Sequence, residues 1–556
     1  MIVKQSALLF LPFLFNPATA IKLRGSVSIT DDDICNLKDE KDACITSECE
    51  WCTSSASDLA VKCYSHDTAK EFPTGTVFEC SGNNNGSLKE EDDSSISTTT
   101  TKSVEYEFEP HVTHTLTDGE VDPNLCDPTS PHSYSGYMSV SGSKYDTSKK
   151  HEKNYFFWMF ESRHTETVKE GERHTIPLVI WLTGGPGCSS TLALLKENGP
   201  CTVNEDGSGT ELNKFGWNEK AHVLWLDQPA GVGFSYGKEN DGNEDMVGED
   251  AYYFLQSFVK THPEYAKNPL FVTGESYGGH YVPAIADRIM KGNEEKKAGT
   301  QFLNLKGVAL GNGLTNPEIQ YQSYAEMAYK NPHNIKAVPG LVYEGMRAAT
   351  STCASMIHEC AHSDELKPAQ AVDCMSATDY CNMALVMPYQ ISGRNVYDIR
   401  LKCEKKPLCY DFSNIETFMN LKSTREALHV SHKSTSHWKS CNMMVHMKFT
   451  VDMMMDMSPH VTNLLNSDIK VLVYAGDADF ICNYKGNRAW TMALEWDHTT
   501  EFNAAEDEDW NDGKGVMRSA NGLTFLQVRD AGHMVPMDQP EVALKMLNEF
   551  IYPNDV

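Results

Sequence analysis

Leu270-Phe271-Val272-Thr273-Gly274-Glu275-Ser276-Tyr277-Gly278 is the stretch that decides the fold of this chain of 556 residues. Four strand-forming residues run into a Gly-x-Ser-x-Gly sequence, and a helix-forming stretch follows. A serine placed there sits on a sharp strand-to-helix turn. The flanking glycines let neighbouring backbone approach and leave the hydroxyl exposed. A hydroxyl is a poor nucleophile at neutral pH, so the pattern calls for a base and for a carboxylate that orients it.

Two later strand ends offer those partners in the chain order Ser, Asp, His. Lys470–Tyr474 reads as a strand and runs into Ala475-Gly476-Asp477-Ala478-Asp479. Thr524–Val528 reads as another and is followed by Ala531-Gly532-His533-Met534. On spacing alone, either Asp477 or Asp479 can orient His533. Upstream, Trp181-Leu182-Thr183-Gly184-Gly185-Pro186-Gly187-Cys188 leaves an apolar strand as a glycine-rich loop whose N–H groups suit an oxyanion. No Lys-Ser/Thr follows these glycines and no dinucleotide fingerprint is present, which argues against a phosphate loop.

Further short apolar runs at Tyr155–Phe160, Leu178–Leu182, His222–Leu226 and Leu305–Leu310 alternate with longer helix-like stretches. That rhythm predicts an α/β fold, a mostly parallel central sheet covered by helices on both faces. It breaks down between about 320 and 460, which reads as an inserted cap. The Met453–Met457 stretch inside it, four methionines around Asp456, reads as adaptable core or pocket lining rather than a copper site.

The N-terminal part has a different character. Lys4, the apolar run Ala7–Phe15 and Ala18-Thr19-Ala20 predict a secretory signal over residues 1–20, too short to span a bilayer. Cys35 to Cys80 hold six cysteines around Cys49-Glu50-Trp51-Cys52, which predicts a small disulfide-stapled module over 31–82. Its Cys-x-Trp-Cys core resembles plexin-type cysteine-rich modules. An acidic Ser/Thr-rich linker is expected over 83–119, with the large domain over 120–556. Asn85-Gly86-Ser87 is a glycosylation sequon. Seventeen cysteines behind a secretory signal indicate an oxidising compartment. The net charge of -29 disfavours nucleic acid and anionic lipid as partners. No later stretch predicts a membrane span.

The runs Trp181–Ser190, Asp227–Ser235, Gly274–Pro283, Gly311–Gly313, Asp479–Cys482 and Ala531–Pro536 together resemble the serine carboxypeptidases, in order, over roughly residues 125 to 552. The resemblance implies an α/β-hydrolase fold that removes residues from the C-termini of peptides, favoured at acidic pH, with no metal and no organic cofactor. It implies Ser276, Asp479 and His533 as the triad, and so chooses Asp479 over Asp477. It places the oxyanion donors at the N–H groups of Gly185 and Tyr277, and a carboxylate-binding group at Thr183, Gly184, Glu197 and Glu275. Two acids can hold an anion only by sharing protons.

The resemblance further implies that Tyr410 and Met534 line the pocket for the departing residue, while Tyr277 and Ile481 face the residue before it. It pairs Cys188 with Cys441, Cys353 with Cys381, Cys360 with Cys374 and Cys403 with Cys409, and leaves Cys482 as a thiol near the site. Cys126 and Cys201 remain unassigned. Thr183 departs from the asparagine usual in the family and is closer to related acyltransferases, whereas Glu275 fits the peptidases. Acyl transfer, and an idle fold kept as a secreted binding protein, are the alternative functions. The vacuole or lysosome and the extracellular space are the expected destinations.

Overall fold

The computed structural model describes residues 49–54, 62–65, 78–81, 101–109, 112–141, 145, 152–238, 241–362, 367–434 and 437–553. The expected signal segment and Asn85 lie outside these residues, as does most of the cysteine-rich module. The chain forms two units, Met1–Ser97 and Thr98–Val556. In the first, strands β1 (Cys49–Ser54), β2 (Lys62–Ser65) and β3 (Phe78–Ser81) form an antiparallel sheet in the order β2-β1-β3, with Cys52 opposite Cys80.

The second unit is built on one large sheet. Its first strands are β4 (Lys102–Glu109), β5 (Val112–Glu120), β6 (Ser133–Ser141), β7 (Glu152–Phe160) and β8 (Leu178–Thr183). A separate hairpin, β9 (Cys201–Val203) with β10 (Thr210–Leu212), precedes β11 (His222–Leu226) and the short β12 (Tyr236–Gly237). Then come β13 (Leu270–Glu275), β14 (Leu305–Gly311), β15 (Lys470–Gly476), β16 (Glu508–Trp510), β17 (Gly515–Ala520) and β18 (Leu523–Val528). The order is β16-β17-β18-β15-β14-β13-β8-β11-β7-β6-β5-β4, with β12 against β7. The six strands from β18 to β11 run parallel, and antiparallel strands extend both edges.

Side chains alternate across a strand, so each parallel strand feeds two cores. Leu178, Ile180, Leu182, Val272, Val308 and Val473 face the helices Glu244–Thr261 and Gly278–Glu295. Val179, Trp181, Phe271, Leu472 and Tyr474 face the helices Ser190–Lys196 and Pro540–Ile551. Continuous apolar runs are what two covered faces require, and β8, β11 and β13 are buried throughout.

The expected linker is shorter than 83–119. Residues 102–109 and 112–120 form β4 and β5, because Val104, Tyr106 and Phe108 supply a period-two apolar pattern within an otherwise acidic, Ser/Thr-rich composition. The large domain accordingly begins ahead of residue 120.

Between β14 and β15 the chain is helical. Its longest helices, Gly340–Ala361 and Lys367–Cys381, are joined by the nested disulfides Cys353–Cys381 and Cys360–Cys374. Cys188–Cys441 ties the glycine-rich loop after β8 to this insertion, and Cys403–Cys409 closes a short loop within it. Cys126–Cys201, left unassigned by sequence, is also a disulfide. Met454 and Met457 are core residues. No helix among the described residues is long and apolar enough to cross a membrane.

Lys153 of β7 is buried between Asp241 and Asp250, 2.7 Å from the latter, and the Tyr155 hydroxyl donates to Asp250 at 2.7 Å. This cluster joins the antiparallel flank to the helix Glu244–Thr261. Lys153→Met strands two buried carboxylates without their cation, and is expected to lower unfolding free energy by about 3–5 kcal/mol in urea titration.

Candidate active site

Strand β13 ends at Glu275 and a helix begins at Gly278, so Ser276 and Tyr277 must turn the chain within two residues. Ser276 adopts φ +64, a left-handed conformation that costs a non-glycine residue about 1–3 kcal/mol unless its surroundings fix it. Here they do. The Ser276 N–H donates to the Gly311 carbonyl at 3.0 Å, and its carbonyl accepts from Gly279 and Leu314, each at 2.9 Å. Gly184, at the end of β8, abuts the same turn. A Cβ at Gly184 would lie 2.2 Å from the Tyr277 nitrogen and 2.9 Å from Ser276 Cβ, so only glycine fits.

Beyond the ends of β15 and β18 the turns carrying Asp479 and His533 are drawn together. A Cβ at Gly476 would lie 2.0 Å from the Gly532 carbonyl, which shows how closely these backbones pass. His533 Nδ1 lies 2.8 Å from Asp479 Oδ2, and both side chains are buried. Asp479 also accepts from Asn312 Nδ2 at 2.8 Å and from the N–H groups of Ile481 and Cys482 at 3.0 and 3.2 Å. With Nδ1 turned to the carboxylate, Nε2 is the nitrogen left to exchange a proton. The two aspartates open on spacing are therefore separated by geometry. Asp477 pairs instead with His333 Nε2 at 2.9 Å and accepts from the Asp530 N–H at 3.0 Å.

The remaining candidates gather around this centre with different partners. The Thr183 hydroxyl accepts from Trp181 Nε1 at 2.9 Å, which leaves its own proton to donate, and its N–H donates to Ser190 Oγ at 3.0 Å. Glu197, at the end of the helix Ser190–Lys196, and Glu275, beside the serine, are buried against each other. Each has an Oε2 with no donor among the described residues. Burial pushes Glu197 up to about 7, and burial together with the neighbouring Glu197 charge pushes Glu275 well above the ordinary carboxylate range. One proton held between them removes the repulsion.

The Tyr277 ring stacks on His280 at 4.4 Å, and its hydroxyl donates to Asp452 of the insertion at 2.6 Å. Ile481 is half-buried, with its carbonyl accepting from the Tyr324 hydroxyl at 2.7 Å. Cys482 carries a free buried thiol, and burial followed by the charges of Asp479 and Glu275 raises its pKa, so it is held as the thiol. Met534 is buried next to His533. Tyr410, with its hydroxyl buried, stacks on Tyr397 at 6.1 Å.

Two contacts lack a sequence signature that assigns them. Tyr397 lies tilted against His533 at 5.1 Å, and its carbonyl accepts the His533 N–H at 2.7 Å. It comes from the insertion, where no periodicity marks individual positions. Asn312 lies within the quoted Gly311–Gly313 run, but that run does not reveal that its amide bridges Asp479 and the Gly476 N–H, the latter at 3.1 Å.

A parallel sheet of this order, with a serine on a left-handed turn and a paired His and Asp at later strand ends, defines an α/β-hydrolase. The chain belongs to the serine carboxypeptidase family, serine-type carboxypeptidase hydrolases, which it matches over residues 123–552. It is 42% identical to serine carboxypeptidase-like 48 of Arabidopsis thaliana over 425 residues, covering 75% of this chain and 78% of that one. It is 40% identical to carboxypeptidase Y of Komagataella phaffii, covering 75% of each chain. Among solved structures, the prohormone-processing carboxypeptidase Kex1(delta)p of Saccharomyces cerevisiae superposes with a TM-score of 0.66 at 27% identity, covering 79% of this chain and 96% of that one.

Because Glu197 and Glu275 titrate above their ordinary value of 4.5, their contribution to stability is full below about 4.5 and is lost as pH rises through the folded-state values, about 7 for Glu197. The Glu197→Gln/Glu275→Gln variant, neutral at every pH, is expected to melt close to wild type at about pH 4.5 and above it at about pH 8.5 by calorimetry. Equal melting temperatures at the higher pH contradict the buried acid pair.

Proposed function

We propose that Ser276, His533 and Asp479 hydrolyse the last peptide bond of peptides and proteins through an acyl-enzyme, most effectively at acidic pH. The observation that carries this reading is the buried Glu197–Glu275 pair beside the nucleophile turn. A protonated carboxyl there donates to a carboxylate, which a general esterase has no reason to bind. The Thr183 hydroxyl and the Gly184 N–H supply further donors. Tyr410 and Met534 line the pocket for the released residue, while Tyr277, Ile481 and Cys482 border the residue before the cut.

With the free carboxylate anchored, Ser276 Oγ attacks the last peptide carbonyl and its proton passes to His533 Nε2. Asp479 stabilises the imidazolium. The N–H groups of Gly185 and Tyr277 receive the oxyanion, and neither has an acceptor among the described residues. As the C–N bond breaks, His533 returns the proton to the leaving amine. Water, deprotonated by His533, then attacks the ester carbonyl, releases the shortened peptide and restores the Ser276 hydroxyl. Acidic pH keeps the glutamate pair protonated, so carboxylate binding is strongest in acid and fades as pH rises through about 7.

Thr183 favours a second reading in one respect. A single hydroxyl anchors a carboxylate less firmly than two amide protons, which leaves room for acyl transfer to an alcohol or amine. A route through the secretory pathway to the vacuole, lysosome or exterior is supported by the five disulfides among the described residues, which persist in oxidising compartments.

Blocked dipeptides with free and with amidated C-termini test the proposal. At about pH 5 the free acid is expected to turn over at least about 100-fold faster than the amide, with the gap narrowing at about pH 8. Ser276→Ala is expected to lower kcat for the free acid by at least about 10⁴-fold. Equal rates for acid and amide would sink the carboxylate-reading role. Asp479→Asn is expected to cost about 10⁴-fold in kcat, while Asp477→Asn keeps near wild-type turnover; the reverse order in initial rates overturns the triad assignment.

A further inference from the structure

The helix Gly340–Ala361 ends in a feature that the catalytic site does not use. His358 lies in its last turn and His362 is its C-cap residue, a spacing of four that puts both rings on one face, stacked at 4.3 Å. Glu318, from the short helix Pro317–Gln320, lies across from them with Oε2 3.0 Å from His358 Nδ1. One ligand atom from each residue falls within 4.8 Å of the others. We propose that Glu318, His358 and His362 form a divalent transition-metal site, best suited to zinc, that joins the inserted cap to the segment supporting the catalytic aspartate.

Four observations support the assignment. A tetrahedral zinc ion with ligands at about 2.0–2.1 Å holds them roughly 3.3 Å apart, so the present spacing closes with small side-chain rotations. His362 Nδ1 faces the His358 carbonyl at 3.1 Å, which fixes Nδ1 as the donor and leaves the Nε2 lone pair for an ion. A helix C-terminus carries partial negative charge and favours a cation. The turn is also rigid: Cys360, between the two histidines, is bonded to Cys374, and Gln370 donates to the Cys360 carbonyl at 3.2 Å.

Two imidazoles and one carboxylate select zinc or copper over calcium or magnesium, which prefer all-oxygen sites. Water completes the coordination on the exposed side.

The ion's effect follows from what Glu318 is attached to. Two residues on, Gln320 accepts from the N–H groups of Thr315 and Asn316 at 2.7 and 2.9 Å and donates to the Gly313 carbonyl at 2.6 Å. Asn312, which holds Asp479, immediately precedes this segment. An ion shared with the long helix therefore braces the floor of the catalytic centre from the cap side.

The test uses the full-length chain, stripped with a chelator and titrated with zinc chloride alone by calorimetry and by thermal unfolding. Wild type is expected to bind zinc at this site and to melt at a higher temperature when loaded. The His358→Ala/His362→Ala variant and, separately, Glu318→Gln are expected to weaken that binding by more than about tenfold while melting like wild type in chelator. No zinc binding by wild type, or wild-type affinity in either variant, overturns the proposal. Should the double variant fail to fold, Glu318→Gln decides alone.

Discussion

The left-handed backbone of Ser276 is the constraint around which the centre is built. That conformation costs an L-residue about 1–3 kcal/mol, and at Ser276 three neighbours hold it in place. Gly311 and Leu314, flanking the end of β14, hydrogen-bond the Ser276 peptide groups from one side, and Gly184 at the end of β8 closes against the turn from the other. The strands contributing these contacts are the immediate neighbours of β13, so the parallel register of three strands sets the direction of one hydroxyl. The next parallel strand, β15, and then β18 bring Asp479 and His533 to the same edge, and Asn312 ties the aspartate back to the end of β14.

Electrostatics adds a second layer. The Ser276 turn lies between two buried acidic groups, Glu197 with Glu275 on one side and Asp452 with Glu244 on the other, the latter reached through the Tyr277 hydroxyl. Burial raises the pKa of all four carboxyls, and Asp452 stands at about 6. An acidic medium suits both groups, because shared protons replace repulsion between buried anions. The proposed mechanism asks the opposite of His533, which must be free to accept a proton. The acidic range proposed for activity is where these two requirements meet.

Much of this was legible in the sequence, for physical reasons. A strand such as Leu178–Thr183 is covered on both faces, and its residues 178–182 accordingly read as an unbroken apolar run. The turn at Ser276 announces itself because close approach demands glycine. The strands β4 and β5 were hidden, since strands of an antiparallel flank carry polar residues on one face and blend into an acidic linker. Tyr397 was hidden for a different reason. Its contribution is a carbonyl and a ring edge supplied by an irregular insertion, and neither leaves a periodic trace. Asp477 and Asp479 were indistinguishable by spacing; His333, also in the insertion, engages the first and leaves the second to His533.

The central claim, that this turn makes Ser276 a nucleophile, is tested most directly by a fluorophosphonate probe and peptide mass mapping. The account predicts a single adduct on Ser276, formed far more slowly in His533→Ala. An adduct on another residue, or a wild-type chain left unmodified, would contradict it.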